Sequence, residues 1–253
     1  MNIILASSEE VTAGCICLTD YRAEHIVKVL RSEPGDTVRF GIINGGMGKA
    51  KILELQRKFP FSVKLQVEIF QKMDGIPPID LVLALPRPIM LKRILSQATA
   101  MGVGTIHLIQ ARRVEKSFWE SSIVSREEFL PYLLQGLEQA VATRLPAVCV
   151  HHRFRIFIED YFPEIREQYG CSLLAHPEGS DSLHKVLGTK TVSERILLAV
   201  GPEGGWVDFE VGKFMEQGFS SCSLGKRILK VDTAVIALHA RVSQLLDLLP
   251  VQR

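Results

Sequence analysis

The sequence predicts an α/β protein: a domain on a mostly parallel sheet, preceded by a small β-barrel. Three observations carry this. Residues 1–73 hold short apolar stretches punctuated by turn residues, the pattern of many short strands. Residues 74–253 instead alternate apolar strand-like runs with stretches of helical periodicity, the pattern of a parallel sheet covered by helices. Between them lies Asp74-Gly75-Ile76-Pro77-Pro78, a linker by composition. The expected domains are therefore 1–73 and 74–253.

In the first part, strands are expected over Ile3–Leu5, Gly14–Leu18, Thr37–Ile42, Lys49–Leu55 and Ser62–Phe70. A short helix is expected over Tyr21–Leu30. Many short strands in a small unit favour a barrel, which removes exposed sheet edges. Glu33-Pro34-Gly35-Asp36 reads as a turn and Asn44-Gly45-Gly46-Met47-Gly48 as a hairpin tip. The latter ends in Gly48-Lys49 but is no phosphate loop. Ile43 stands where the first glycine belongs, and Ala50 where Ser or Thr belongs. Cys15 and Cys17 alternate on one strand face and read as small core residues.

In the second part, Ile79–Leu85 reads as a buried strand. Leu91, Ile94, Leu95, Ala98 and Met101 recur at helical spacing. Thr105–Ile109 is the next strand and Glu128–Arg144 the next helix. Further strands are expected over Ala147–Val150, Ser172–Ala175, Ile196–Val200 and Phe219–Leu224. A closing helix spans Thr233–Leu249, with Asp232 or Thr233 as its N-cap.

Composition excludes several classes. Five cysteines without C-x-x-C spacing argue against a disulfide framework or a zinc site. No metal is expected. The N-terminal stretch lacks a basic segment followed by an apolar run, so no signal peptide is expected, and no apolar run is long enough to span a bilayer. A cytoplasmic location is the expectation. The net charge of +2 is too small for a protein that coats nucleic acid, so any such contact must come from a local basic patch.

In open parallel sheets, ligands bind in the loops beyond the carboxyl ends of the strands. Three such loops stand out. Gly201-Pro202-Glu203-Gly204-Gly205 follows a strand directly and lets backbone approach a ligand; the spacing is not that of a dinucleotide fingerprint. It suits main-chain recognition of an adenine and ribose, or else a tight strand-to-helix turn. Leu224-Gly225-Lys226-Arg227-Ile228-Leu229-Lys230 alternates cations with apolar residues, as would an amphipathic loop or a site for a phosphate or anionic intermediate. His176-Pro177-Glu178-Gly179 is uninformative alone.

Together, these loops resemble those of the SPOUT RNA methyltransferases, and more closely the small-subunit ribosomal RNA uridine-N3 branch. The matching stretches are Leu198-Ala199-Val200-Gly201-Pro202-Glu203-Gly204-Gly205 with Glu210, and Leu224 through Ala234. Weaker matches include Val29-Leu30-Arg31, Gly102-Val103, Glu138-Gln139 with Arg144-Leu145-Pro146, and His176-Pro177. The resemblance implies a trefoil-knotted methyltransferase domain, a PUA-like barrel that helps to hold RNA, and a homodimer. It also implies S-adenosyl-L-methionine as methyl donor. Donor contacts would come from Leu174, Ala175, His176 and Pro177; from Val200, Gly201, Pro202, Glu203 and Gly204; and from Leu224, Gly225, Ile228, Leu229 and Thr233.

The implied reaction methylates N3 of a uridine in small-subunit ribosomal RNA. Arg227 is the candidate catalytic residue, because a planar cation stabilises the uracil anion formed when N3 loses its proton. Arg31, Arg112, Arg113, Lys116 and Arg144 are candidates for RNA phosphates. The chain departs from the family pattern at Met1–Leu5, which lacks the usual Arg, at Gln97 and Ala100 in the first helix, at Ala142, and at Val207.

Two other functions compete with this reading. A dinucleotide-dependent oxidoreductase needs a glycine fingerprint after the first strand, where Pro86-Arg87-Pro88 stands. A non-catalytic or differently targeted RNA-binding or ribosome-assembly protein on the same fold is separated by a donor-binding titration.

Overall fold

The computed structural model describes residues 1–179, Leu183, Val186 and 195–248. These residues form two compact units, Met1–Ile76 with Leu134–Leu145, and Pro77–Leu133 with Pro146–Arg253.

The first unit holds a five-stranded sheet: β1 (Ile4–Ala6), β2 (Cys15–Leu18), β3 (Thr37–Ile42), β4 (Met47–Gln56) and β5 (Ser62–Gln71), in the order β1-β3-β4-β5-β2. Only β1–β3 is parallel. Alternation sends Val38, Phe40, Ala50, Ile52, Val63 and Leu65 into one apolar core with Ile16 and Leu18. Cys17 is exposed and Cys15 half-buried, which corrects their expected core role. Ile16 and Leu18, one residue along the alternation, hold the inner positions instead. Helix α1 (Tyr21–Glu24) is capped by Asp20, whose carboxylate accepts from Arg22 N at 2.9 Å, and runs on as π-helical turns over His25–Leu30. The buried Arg22 also donates to Leu5 O at 2.7 Å and pairs with Glu10 and Asp20.

The β3–β4 hairpin turns through Ile43–Gly46, with Asn44 left-handed at φ 55°. Leu134–Leu145 packs into this unit. Leu137 is buried with Ile3 and Leu5, and Thr143 Oγ1 donates to Gly45 O at 2.6 Å. Asn44 N donates to Thr143 O at 2.7 Å, and Asn44 Oδ1 accepts from Leu145 N at 2.9 Å.

The second unit holds six strands: β6 (Ile79–Ala84), β7 (Val103–Ile109), β8 (Ala147–His151), β9 (Tyr169–Ala175), β10 (Arg195–Val200) and β11 (Ser220–Cys222). Their order is β11-β9-β10-β6-β7-β8, and every pair is parallel. Strand β6 is buried along its whole length, as a central parallel strand must be. Its one acid, Asp80, accepts from Thr105 N (2.6 Å), Tyr169 Oη (2.7 Å) and Arg195 Nη2 (2.5 Å). Strands β6, β7, β9 and β10 are thus joined at their amino ends. A side chain on Gly104 would sit 2.7–2.8 Å from Arg195 and Asp80, so only glycine fits there.

Helix α2 (Pro88–Ala100) starts with Pro at its first position, where a missing N–H costs nothing, and buries Leu91, Ile94, Leu95 and Ala98. Helix α3 (Arg126–Ala140) is shorter than expected. Val141 is left-handed at φ 58°, which ends the helix before Arg144. Helix α4 (Asp208–Glu216) follows the glycine loop, and α5 (Val231–Leu248) closes the fold. Lys230, not Asp232 or Thr233, caps α5, since its carbonyl accepts from Ala234 N at 2.8 Å. Asp232 sits in the first turn, where its charge favours the helix dipole. Leu249 lies outside the described residues.

Two further helical turns, Ile156–Tyr161 and Phe162–Ile165, were not expected, although Ile158, Tyr161, Phe162 and Ile165 fall at helical spacing. Among the described residues no helix is long and apolar enough to cross a membrane.

Candidate active site

Three strand ends in the second unit meet above the sheet. Leu174 is level with Ala199, and Ala175 with Cys222. His176 N then donates to Cys222 O at 3.0 Å. The loops leaving β9, β10 and β11 therefore emerge side by side at the carboxyl edge. They enclose a cavity of about 270 Å³, close to the low end of small-ligand sites.

Its walls are partly apolar side chains, among them Ala175, Val200, Leu224, Leu229, Val231 and Ala234. The remainder is glycine-rich main chain from Gly201–Gly205 and from Ser223–Gly225. Trp206 also lines it, and its buried indole Nε1 has no hydrogen-bond partner among the described residues. An apolar slot edged by main-chain groups suits a flat heterocycle with a polar edge. Among the described residues no cluster of three His, Cys, Asp or Glu could hold a metal ion.

The glycine loop is shaped from outside the cavity. Gly205, at φ 74°, closes a turn in which its N–H donates to Pro202 O at 2.8 Å. A β-carbon on Gly201 would lie 3.1 Å from the Trp206 ring; one on Gly204 would lie 3.1–3.2 Å from the Arg113 side chain. Arg113 Nη1 donates to Gly204 O at 2.6 Å and to Trp206 O at 3.4 Å. Glu203 Oε1 accepts from Arg87 N at 3.1 Å. The buried Glu210 takes Arg112 N on one oxygen (2.6 Å) and Val207 N on the other (3.0 Å). The second contact caps α4 from its third residue, as in the Glu half of a capping box, so Val207 serves where a hydroxyl cap is usual. The loops after β6 and β7 are thereby fastened to the loop after β10.

On the other side, Gly225 is left-handed at φ 117°. Ser223 Oγ holds that turn, accepting from Gly225 N at 3.1 Å. Arg227 lines the cavity with its side chain exposed, and Ile228 beside it is 89% exposed. His176 Nδ1 accepts from Glu178 N at 3.3 Å, which orients the ring as a turn residue.

Of the residues singled out from sequence, Ala175, His176, Pro177, Val200, Gly201, Pro202, Glu203, Gly204, Leu224, Gly225, Arg227, Ile228 and Leu229 share this cavity. Leu174 is buried in β9 one residue earlier, and Thr233 is exposed on α5; neither lines it. Trp206, Cys222, Ser223, Val231 and Ala234 line it and were not foreseen. Trp206 is the residue next after the glycines; Cys222 and Ser223 come from the end of β11, and Val231 and Ala234 from the first turn of α5. Of the phosphate candidates, Arg113 is turned onto the glycine loop. Arg144 donates from Nε (2.9 Å) and Nη2 (2.8 Å) to Asp74 O. Arg31, Arg112 and Lys116 are exposed.

The fold and cavity define an α/β ligand-binding enzyme scaffold, and sequence comparison gives its class. An RNA methyltransferase domain model matches residues 74–243, and an RNA methyltransferase PUA domain model matches residues 18–65. A ribosomal RNA small subunit methyltransferase E from Treponema pallidum is 34% identical, over 96% of this chain and 90% of that one. One from Synechocystis is 27% identical, over 96% and 78%. A crystal structure of a ribosomal RNA small subunit methyltransferase E from Neisseria gonorrhoeae, bound to S-adenosyl methionine, superposes with a TM-score of 0.76. It is 20% identical and covers 97% of this chain and 98% of its own. The chain belongs to the ribosomal RNA small subunit methyltransferase E family.

Proposed function

We propose that this protein methylates N3 of a uridine in small-subunit ribosomal RNA, using S-adenosyl-L-methionine held in the cavity over β9, β10 and β11. One observation carries the reading: Arg227 lines the same cavity as the glycine loop, so a cation stands beside the donor site. The residues present fit the donor. The apolar walls suit its adenine, and the main chain of Gly201–Gly205 and Ser223–Gly225 suits its polar edges. The orphaned Trp206 N–H is a donor in search of an acceptor. Bound there, S-adenosylmethionine supplies a methyl group already activated on its sulfonium, so no metal is needed.

The chain's own part is positioning and charge. The glycine loop and Leu224–Leu229 fix the donor so that methyl and nucleophile are aligned. Arg227 stabilises the anion left when the uracil imide loses its proton. At 4 Å and an effective dielectric of 20 such a pair is worth ~4 kcal/mol, about a thousandfold in rate. Arg227→Ala is therefore expected to cut turnover by roughly 10²–10³-fold while donor affinity stays within about twofold, because the contact forms in the transition state. Arg227→Lys recovers only part of the rate, since a point charge replaces a fork.

The test is methyl transfer to purified small subunits followed by nucleoside analysis. The expected product is 3-methyluridine. Methylated cytidine or adenosine instead would refute the substrate, and full activity in Arg227→Ala would refute the role. The same reading includes the trefoil knot, a cytoplasmic setting and a symmetric homodimer built on a large apolar interface. A monomer by light scattering at micromolar concentration would remove the dimer.

A further inference from the structure

We propose that Glu203 reads the charge of the methyl donor, favouring the sulfonium cation over the neutral thioether left after transfer. The proposal rests on the reading that S-adenosyl-L-methionine fills the cavity over β9, β10 and β11. Among the described residues lining that cavity, Glu203 is the one acid and Arg227 the one Lys or Arg. The opposite signs match the two reacting groups, a cationic methyl donor and an anionic uracil imide. A sphere of about 270 Å³ has a radius of ~4 Å, so a charge on a ligand inside lies within Coulombic reach of the walls.

An acid that only fastens a loop uses its whole carboxylate. Glu210 does so: it is buried, and each oxygen accepts from a main-chain amide. Glu203 differs on each count. It is exposed, and its Oε1 accepts from Arg87 N at 3.1 Å. Its Oε2 has no hydrogen-bond partner among the described residues, and Glu203 makes no ion pair among them. The Arg87 amide thus fixes the carboxylate at the cavity wall and leaves one oxygen, and the charge, for a ligand.

During transfer the methyl carbon bonds to N3 of the deprotonated uracil, whose proton has passed to solvent. The S–C bonding pair stays on sulfur. The spent donor therefore carries one positive charge fewer, and the attraction to Glu203 goes with it. Glu203 helps to hold the fresh donor and contributes nothing to holding the spent one, which favours the exchange of one for the other.

The experiment is calorimetric titration of the full-length protein with three ligands. They are S-adenosylmethionine, S-adenosylhomocysteine, and sinefungin, which carries an ammonium group where the donor carries its sulfonium. The quantity read is the affinity of each charged ligand relative to S-adenosylhomocysteine. An exposed charge pair is worth up to about fivefold in affinity, so Glu203→Gln is expected to lower both ratios by about threefold or more. Affinity for S-adenosylhomocysteine itself is expected to stay within about twofold. The Gln carbonyl still accepts from Arg87 N, so the Arg87 amide keeps its protection from hydrogen exchange. Glu203→Asp keeps the charge and is expected to keep both ratios, even where protection of the Arg87 amide falls. Added salt lowers the ratios of the unaltered protein and leaves those of Glu203→Gln in place. Ratios lowered by less than about threefold in Glu203→Gln, or an equal loss for all three ligands, overturn the proposal and leave Glu203 as a loop fastener beside an intact donor site. Ratios that fall as far in Glu203→Asp overturn it too, because they follow the Arg87 bond and not the charge. Failure of the unaltered protein to bind any of the three overturns the donor reading and this proposal with it.

Discussion

Replacing Glu210 with Ala removes the clamp that joins the loop after β7 to the glycine loop. Glu210 is 2% exposed and accepts from two main-chain donors, Arg112 N at 2.6 Å and Val207 N at 3.0 Å. Both bonds are part-buried; an N–H left without a partner costs about 1–3 kcal/mol when buried and less where water reaches it, so the pair costs about 2–4. Loss of a negative charge in the first turn of α4 adds about 0.3–1 kcal/mol. Water entering the vacated space would bring the sum toward its lower end, so the expected loss is about 3 kcal/mol. Glu210→Gln keeps one carbonyl acceptor but turns an NH2 toward the other amide, and is expected to fall between. Two units need not unfold in one transition, so hydrogen exchange at the Arg112 and Val207 amides is the direct assay, with urea midpoints beside it. Protection of both amides retained in Glu210→Ala, with a midpoint change worth less than about 1 kcal/mol, would refute the clamp.

Arg113→Met keeps the aliphatic stem over Gly204 but loses the guanidinium bond to its carbonyl. Donor affinity is expected to weaken about fivefold or more, while the salt dependence of RNA binding stays the same. Intact donor affinity with a slope reduced by about 1 would return Arg113 to the phosphate role read from sequence. His107 tests a second region. Burial, then the neighbouring His151, lowers its pKa from 6.5 to about 4. The unfolded chain therefore takes up the proton first as pH falls. The His107 contribution to stability is therefore flat above about pH 6.5, declines between there and pH 4, and levels off below, with a total on the order of 3 kcal/mol. In His107→Leu the difference in unfolding free energy between pH 7 and pH 4.5 should shrink; if it persists in full, another group governs the acid limb.

Much of the fold was legible because buried parallel strands are long apolar runs and α5 and α2 carry clear helical stripes. The strand Thr37–Ile42 was bounded correctly by Asp36 and the glycine tip. Failures had local causes. Val141 is an ordinary apolar residue in sequence, and its left-handed backbone is imposed by Thr143–Leu145 gripping the β3–β4 hairpin. Cys15 and Cys17 alternate as well as Ile16 and Leu18 do, so only the register decides which pair is inside.

In the cavity, the loops after the strand ends are legible from their position, whereas the residues within them came from the family resemblance, since His176-Pro177 carries nothing alone. Arg113 was assigned by charge, whereas its partner is a carbonyl ninety-one residues away that no local pattern announces.

The contribution of Leu134–Leu145 to the first unit bears on how the chain is made. Ile3 and Leu5 pack on Leu137, and the hairpin tip is tied down by Thr143 and Leu145. None of these partners exists when residue 76 leaves the ribosome. At ~5–20 residues per second, several seconds of translation separate the barrel strands from the segment that completes them. During that interval the nascent barrel presents Ile3, Leu5 and the Asn44 turn to solvent or to a chaperone. The earliest residues of the chain therefore emerge first and wait on its middle.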